Sequence, residues 1–403
     1  MIRVCVSGMG VISALGLNQN EFWTRLQTGT SAIAPLGNLD MSDIRFKNGA
    51  EVRGYDPTTR FGKIELALMD RFAQFAMIAA DEALTQSGVT LSEELLDNTA
   101  VITGSSMGGR GAEEAGYWEL FHHKRTRVHP LTIALSMSNA GASHICMKYG
   151  ARGPAYTIST ACSSSAHAIG QAFWMVRSGA APMAITGGSE APLFLGSLKA
   201  WEAMRVISKD TCRPFSADRT GLVLGEGGAM LILEPLDVVL ARGGKPLAEI
   251  VGFGMTSDAA HLTQPSGSGA ASAMRRAIKD SGLAIEQFGY INAHGTATEA
   301  NDRTETAAIR TVFGSQADKL AVSSSKSMHG HTLGAAGGIE AVASVLALKN
   351  GVLPPTANFT QPDPACDLDV IPNVARVISV EACLSNSFAF GGLNAVLAFK
   401  AIA

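Results

Sequence analysis

The sequence has no segment of 18 uninterrupted apolar residues, so no transmembrane helix is expected. Its nearest candidate, residues 333–348, carries Glu340 in the middle. The apolar start, from Met1 to Gly16, has a single Arg and is broken by glycines, so it reads as a first strand and turn rather than a signal peptide. Cysteine is scarce: six, at positions 5, 146, 162, 212, 366 and 383, with no CxxC pair. That spacing suits neither a zinc site nor a disulfide framework, and it points to a reducing, cytoplasmic setting. Charge is also low. Charged residues make up 17% and the net charge is -3, which excludes the concentrated Lys and Arg that nucleic acid or an anionic membrane surface would require. One basic patch, His122-His123-Lys124-Arg125-Thr126-Arg127, reads either as a solvated loop or as a docking site for an acidic partner protein.

What the sequence does have is a core. With 403 residues and 46% hydrophobic content, it is long enough for two domains or for one large domain built from fused halves. Its 43 glycines are about a tenth of the chain and sit beside small residues. That favours tight turns and close backbone packing over linkers.

The two halves rhyme. Each opens with an apolar strand running into glycines, Val4 to Gly10 and Ile250 to Gly254. Each has a helical stretch, residues 71–88 and 270–282, and then a β-rich run, residues 99–104 and 288–293. Each repeats strand, sharp polar turn and helix: Ala155 to Cys162 leads to Gly179, and Leu320 to Lys326 leads through His331 to Gly351. Strands alternating with helices predict sheets covered by helices, a layered α/β fold with pseudo-twofold symmetry. The predicted boundary lies near 250, after the Arg242-Gly243-Gly244-Lys245-Pro246 turn, giving halves of 1–250 and 251–403.

Cys162 follows a β-rich run and precedes Ser163-Ser164-Ser165, which enter a helix. Unpaired N–H groups at a helix start favour thiolate, the reactive form; a buried, inert cysteine fits the same context. His294 stands at a strand end before Gly295 and Thr296, where it is either held rigidly facing a cleft or satisfied in a turn. His331 is expected at the mouth of a helix, donating through Nε2 into the cleft. His329 two positions earlier raises the question of a metal, but no Cys or carboxylate ligand accompanies the pair in the motif, so no metal is expected. Lys326 and Glu340 flank this helix entry, either as a buried pair that orients His331 or as a surface pair of small worth. Asp302 and Glu305 follow His294 and are expected to organise its loop. In the stretch from Asn386 to Asn394, Phe388 and Phe390 lie between small residues, so that backbone N–H groups are accessible and rings can gate a pocket. One such N–H, with that of Cys162, could form an oxyanion hole.

Thr160-Ala161-Cys162, Ala293-His294-Gly295-Thr296, Lys326 to His331 and Ser387 to Gly392, with Arg213-Pro214-Phe215 and Gly225-Glu226-Gly227, closely resemble the elongating β-ketoacyl-acyl carrier protein synthases of the thiolase superfamily. The likeness runs from Ser7 to Lys400. It implies a five-layer αβαβα sandwich of two pseudo-symmetric halves, normally an obligate dimer. It implies that Cys162 takes the acyl chain from carrier-protein phosphopantetheine, with no cofactor of the enzyme's own. By the same resemblance His294 and His331 promote decarboxylation of a malonyl thioester, Cys162 and Phe390 supply oxyanion N–H groups, and Lys326 pairs with Glu340. Thr263, Thr296 and Thr298 would line the pantetheine channel, and Phe388 the substrate cleft.

Several positions depart from the housekeeping pattern. Ala389 and Leu393 stand in a loop that usually reads Gly-Phe-Gly-Gly-Thr-Asn, and Leu222 replaces the usual phenylalanine. Met107 and Thr132 fall where the family lines its acyl pocket with isoleucine and phenylalanine. Residues 198–216 and 301–314 resemble nodulation-type and aryl-polyene-type synthases more closely. Three roles stay open: a self-paired elongating synthase, a ketosynthase paired with a homologous chain-length factor, and the non-catalytic partner itself, which typically lacks the cysteine.

Overall fold

The computed structural model describes residues 1–37 and 39–402. Its main sheet has ten strands: β1 Val4–Ser13, β2 Ala100–Gly104, β3 Ala155–Ile158, β4 Ala184–Glu190, β5 Gly227–Pro235, β6 Ala248–Ser257, β7 Phe288–Asn292, β8 Ala321–Ser323, β9 Ala382–Ala389 and β10 Leu393–Lys400. Their order is β8-β7-β9-β10-β6-β1-β5-β4-β2-β3. Read outward from the middle, the first half runs β1-β5-β4-β2-β3 and the second β6-β10-β9-β7-β8. Pairing sense repeats too. β1–β5 and β5–β4 are antiparallel while β4–β2 and β2–β3 are parallel, and β6–β10, β10–β9, β9–β7 and β7–β8 follow the same sequence. The halves join through a short antiparallel pairing of Val4, Cys5 and Val6 with Ile250, Glu249 and Ala248. Residue 250 therefore lies inside β6, a strand of the second half that also holds the first.

Five layers follow from where the helices pack. Helix Arg71–Ser87 covers β1, β5 and β4, and helix Gly267–Ser281 covers β6 and β10 in the same way. Between the half-sheets lie the central helices Ser164–Ser178 and Ala336–Asn350, each touching strands of both halves and each other. The second is buried from Ala336 to Leu348, so its apolar run with Glu340 is a core helix. Among the described residues, no helix is long and apolar enough to cross a membrane.

The glycines of the opening strands explain how closely the outer helices sit. A Cβ at Gly8 or Gly10 would lie 2.1 Å from the Ala83 or Ala79 carbonyl oxygen. At Gly252 and Gly254 it would lie 2.4 and 2.1 Å from those of Ala277 and Ala273. Only hydrogen fits between strand and helix at these four points. The outer helices also stop alike: Gly88 and Gly282 both cap in the left-handed region, at φ 61° and 68°. The basic patch of residues 122–127 is exposed beyond helix Arg110–Phe121, with Arg125 and His123 facing Glu119 at 3.6 and 4.0 Å.

Candidate active site

The cleft opens where the two central helices begin. In the first half β3 ends at Ile158, Ala161 turns the chain at φ 49°, Cys162 follows, and Ser163 starts the helix. A positive φ at a residue with a Cβ is strained; here hydrogen bonds of the turn hold it. Ser164 Oγ donates to the Ala161 carbonyl at 2.6 Å and accepts from the Thr160 N–H at 2.9 Å. Ser163 Oγ reaches across to the Leu393 carbonyl at 2.9 Å, fixing this turn to the C-terminal loop.

The second half builds its side with the same device. β8 leads into a helical turn, Lys326–His329; His331 follows; Leu333 kinks at φ 48°; the helix starts at Ala336. The His331 N–H donates to the Val223 carbonyl at 2.6 Å, and its carbonyl accepts from the Gly225 N–H at 3.0 Å. His294 comes from the end of β7. Glu305 accepts from the His294 and Gly295 N–H groups at 2.9 and 2.8 Å, and Asn386 Nδ2 donates to it at 3.1 Å. Asp302 accepts from the Phe215 and Ala297 N–H groups at 2.8 and 3.2 Å, with the Arg219 guanidinium 3.6 Å away. Burial raises the Asp302 carboxyl to about 6. Asp302 and Glu305 thus hold the backbone from His294 to Ala297.

Lys326 and Glu340 are fully buried and paired, which places them in the core rather than on the surface. Lys326 Nζ also donates to the His294 carbonyl at 2.6 Å and lies 3.3 Å from His294 Nδ1. An ammonium can only donate, so Nδ1 accepts and the ring proton of His294 sits on Nε2. Burial, then the Lys326 charge, holds both His294 and His331 well below the usual imidazole value. Both rings are neutral, 5.5 Å apart between centroids and nearly perpendicular. His329 is held low, at about 3, by burial, turns its Nε2 to Ser325 Oγ at 3.0 Å, and does not line the cleft. Among the described residues no group of three or more His, Cys, Asp or Glu could hold a metal ion.

Cys162, His294 and His331 line one cleft with Leu222, Thr263, Thr296, Thr298, Phe388 and Phe390. Thr296 and Thr298 hydroxyls lie 2.9 Å apart. The backbone N–H groups of Phe390 and Cys162 both act on the sulfur to favour thiolate, the direction expected of a helix start. Burial outweighs them and Lys326 and pushes the Cys162 thiol up to about 12, so of the two readings of this cysteine the buried setting decides its resting state. Ala389 is extended, at φ -106° and ψ 157°, a region open to alanine, while Gly391 and Gly392 carry the loop's positive φ.

Met107 and Thr132 do not line this cleft. Met107 packs with Cys162, Leu198, Leu222 and Leu333 in one apolar cluster. Thr132 sits against Gly116 and donates to the His129 carbonyl at 2.8 Å, so a single chain does not bring it to the sulfur. Two residues escaped the sequence reading. Trp201 stacks on Phe390 at 6.1 Å in the cleft wall; an isolated Trp in a helix carries no motif. Glu190, fully buried at the end of β4, gathers donors from the loop after β2. Its signal was a carboxylate closing an apolar strand, Ala184–Glu190.

Residues 1–238 match the family described as beta-ketoacyl synthase, N-terminal domain, and residues 247–360 match its C-terminal domain. The chain is 45% identical over 400 residues to nodulation protein E of Rhizobium meliloti (strain 1021), covering 99% of each. It is 42% identical over 406 residues to a 3-oxoacyl-[acyl-carrier-protein] synthase 2 of Synechocystis, covering 99% of this chain and 98% of that one. Among solved structures, the ishigamide ketosynthase/chain length factor superposes with a TM-score of 0.95 at 34% identity over 100% of both chains. With the thiolase-like fold already built from its own residues, the chain belongs to the β-ketoacyl synthase family.

Proposed function

We propose that this chain is a catalytically competent elongating β-ketoacyl-acyl carrier protein synthase. The observation that carries the reading is the meeting of one thiol and two neutral imidazoles, Cys162, His294 and His331, in one cleft. A non-catalytic partner has no need of that set.

In the proposed reaction the Cys162 sulfur attacks the acyl thioester on carrier-protein phosphopantetheine. A new S–C bond forms, the old one breaks, and the thiol proton leaves with the departing pantetheine sulfur. The N–H groups of Cys162 and Phe390, both of which act on that sulfur, would hold the carbonyl oxygen as charge develops. Malonyl thioester then enters along Thr263, Thr296 and Thr298. Neutral His294 and His331 donate to its thioester carbonyl, carbon dioxide leaves, and the resulting enolate carbon attacks the acyl carbonyl. A C–C bond forms, and the Cys162 thiolate departs and is reprotonated. Lys326 fixes the His294 tautomer, and Glu340 balances the Lys326 charge. No cofactor of the enzyme's own is required; phosphopantetheine arrives on the carrier protein.

The proposed partners are an acyl carrier protein and a second chain of the same fold, either a copy or a chain-length factor. The names of the relatives favour both kinds of partner. The edge strand β3 leaves Tyr156 40% exposed, an edge suited to burial in a dimer. Thr132 would then serve the acyl pocket of the partner. Six free cysteines support a reducing, cytoplasmic setting. The test is Cys162→Ala with acyl carrier protein substrates: intact-protein mass spectrometry should show no acyl adduct, and normal acylation would overturn the assignment.

A further inference from the structure

Glu190 is a buried acid that the proposed chemistry leaves unused. It closes β4 with no exposure. Its Oε1 accepts from Ser105 Oγ at 2.9 Å and the Met107 N–H at 3.1 Å. Its Oε2 accepts from the Ser106 N–H at 2.7 Å, Ser106 Oγ at 2.6 Å and the Gly334 N–H at 3.0 Å. All five donors are neutral. Three belong to the backbone, so they stay whatever side chains change. They come from two places, the loop carrying Met107 and the turn between His331 and the central helix.

The fit is tight. A Cβ at Gly334 would lie 2.4 Å from the Ser106 nitrogen and 2.5 Å from Glu190 Oε2. Leu333, the kinked residue beside it at φ 48°, packs in the apolar cluster that contains Cys162 and Met107. The charged and titratable groups acting on the sulfur are few. Lys326 favours thiolate, Glu190 opposes it, and across the cleft His294 and His331 are neutral.

We propose that Glu190 is a positioning residue for the condensation: one buried carboxyl group that ties the Met107 loop to the turn after His331. Its first task makes the Met107 loop, packed against the apolar cluster around Cys162, and the segment that carries the histidine move as one body. Its second is electrostatic: burial raises the Glu190 carboxyl against its five donors, and the charge it carries adds to desolvation in keeping the Cys162 thiol protonated before substrate arrives. The inference rests on the proposed role of Cys162 as acyl carrier.

Glu190→Gln keeps the shape and removes the charge and two acceptor positions. Two readouts separate the tasks. Iodoacetamide alkylation at Cys162, followed by peptide mass spectrometry over a pH series, needs no turnover. Loss of the negative charge lowers the thiol pKa, so alkylation at a fixed pH below it should be about 3–10-fold faster than in wild type. The length distribution of ketoacyl products should broaden. Ser106→Ala removes one donor and no charge, so it should broaden the products and leave the alkylation rate as in wild type. Unchanged or slower alkylation in folded Glu190→Gln overturns the charge effect. Unchanged product lengths in both variants overturn the coupling, and if Glu190→Gln does not fold, Ser106→Ala alone decides it. If Cys162 were not the acyl carrier, wild type would already form no Cys162 adduct with acyl substrate, while the alkylation comparison would still report on Glu190.

Discussion

The two halves use one backbone device for different ends. Each ends a short strand, kinks at a residue of positive φ, Ala161 or Leu333, and starts a buried central helix. In the first half the kink is followed at once by Cys162. In the second an extra helical turn, Lys326–His329, is placed before it. That turn supplies the Lys326 ammonium that fixes His294 and leads to His331. The first half therefore presents a nucleophile in an apolar setting, and the second presents a prepared electrostatic environment. The difference teaches that one scaffold serves both halves, while the extra turn on one side adds Lys326 and leads to His331.

The comparison can be broken at its strongest point by His331→Ala. Acyl loading on Cys162 should persist, and condensation should fall by roughly 10²–10³-fold, the usual loss for one donor to a developing oxyanion. Ketoacyl formation at the wild-type rate would show that the second half does not supply this donor. Lys326→Ala comes next. It leaves Glu340 without its partner in the core, where burial already raises the carboxyl to about 7, and breaking a buried pair typically costs about 3–5 kcal/mol. Chemical denaturation should show that loss, whereas a change under about 1 kcal/mol would mean the pair does not hold the second half together.

The sheet-facing glycines test the symmetry itself. Gly10→Ala and Gly254→Ala each push a Cβ to 2.1 Å from a helix carbonyl. Each should destabilise by about 1–3 kcal/mol, and by similar amounts, because the clash is the same. A large difference in denaturation midpoints would show that one half yields where the other cannot. The smallest effect is in pH. His294 and His331 sit well below the usual imidazole value because of burial and Lys326. A lowered pKa keeps both rings neutral as pH falls through the ordinary histidine range, so the acid limb of condensation should lie below pH ~6.5. A limb at or above that value in kcat/KM would mean a ring in a wetter site.

Much of this was legible in the sequence because it is written in local patterns. The Gly8/Gly10 and Gly252/Gly254 pairs mark where a helix crosses a strand, and the strand–turn–helix units mark the starts of both central helices. The Lys326–Glu340 pair could be read as a pair, either buried or on the surface, and the structure buries it. Three things were not legible, each because it depends on packing between distant segments. The state of Cys162 is set by desolvation from surrounding elements, which outweighs the helix start. Glu190 gains its meaning from Ser105, Ser106 and Gly334, which no spacing links to it. Thr132 fell at a pocket position by resemblance, yet within one chain it lies against Gly116, away from the sulfur.

The seam between β1 and β6 has a consequence for how such a chain is made. Cys162 lies in the half that leaves the ribosome first, and both histidines lie in the half that leaves last. Throughout that interval of synthesis the thiol exists without Lys326, His294 or His331. Condensation therefore has to wait until the last strands, β9 and β10, take their places beside β6. Only then do both histidines share a cleft with the thiol.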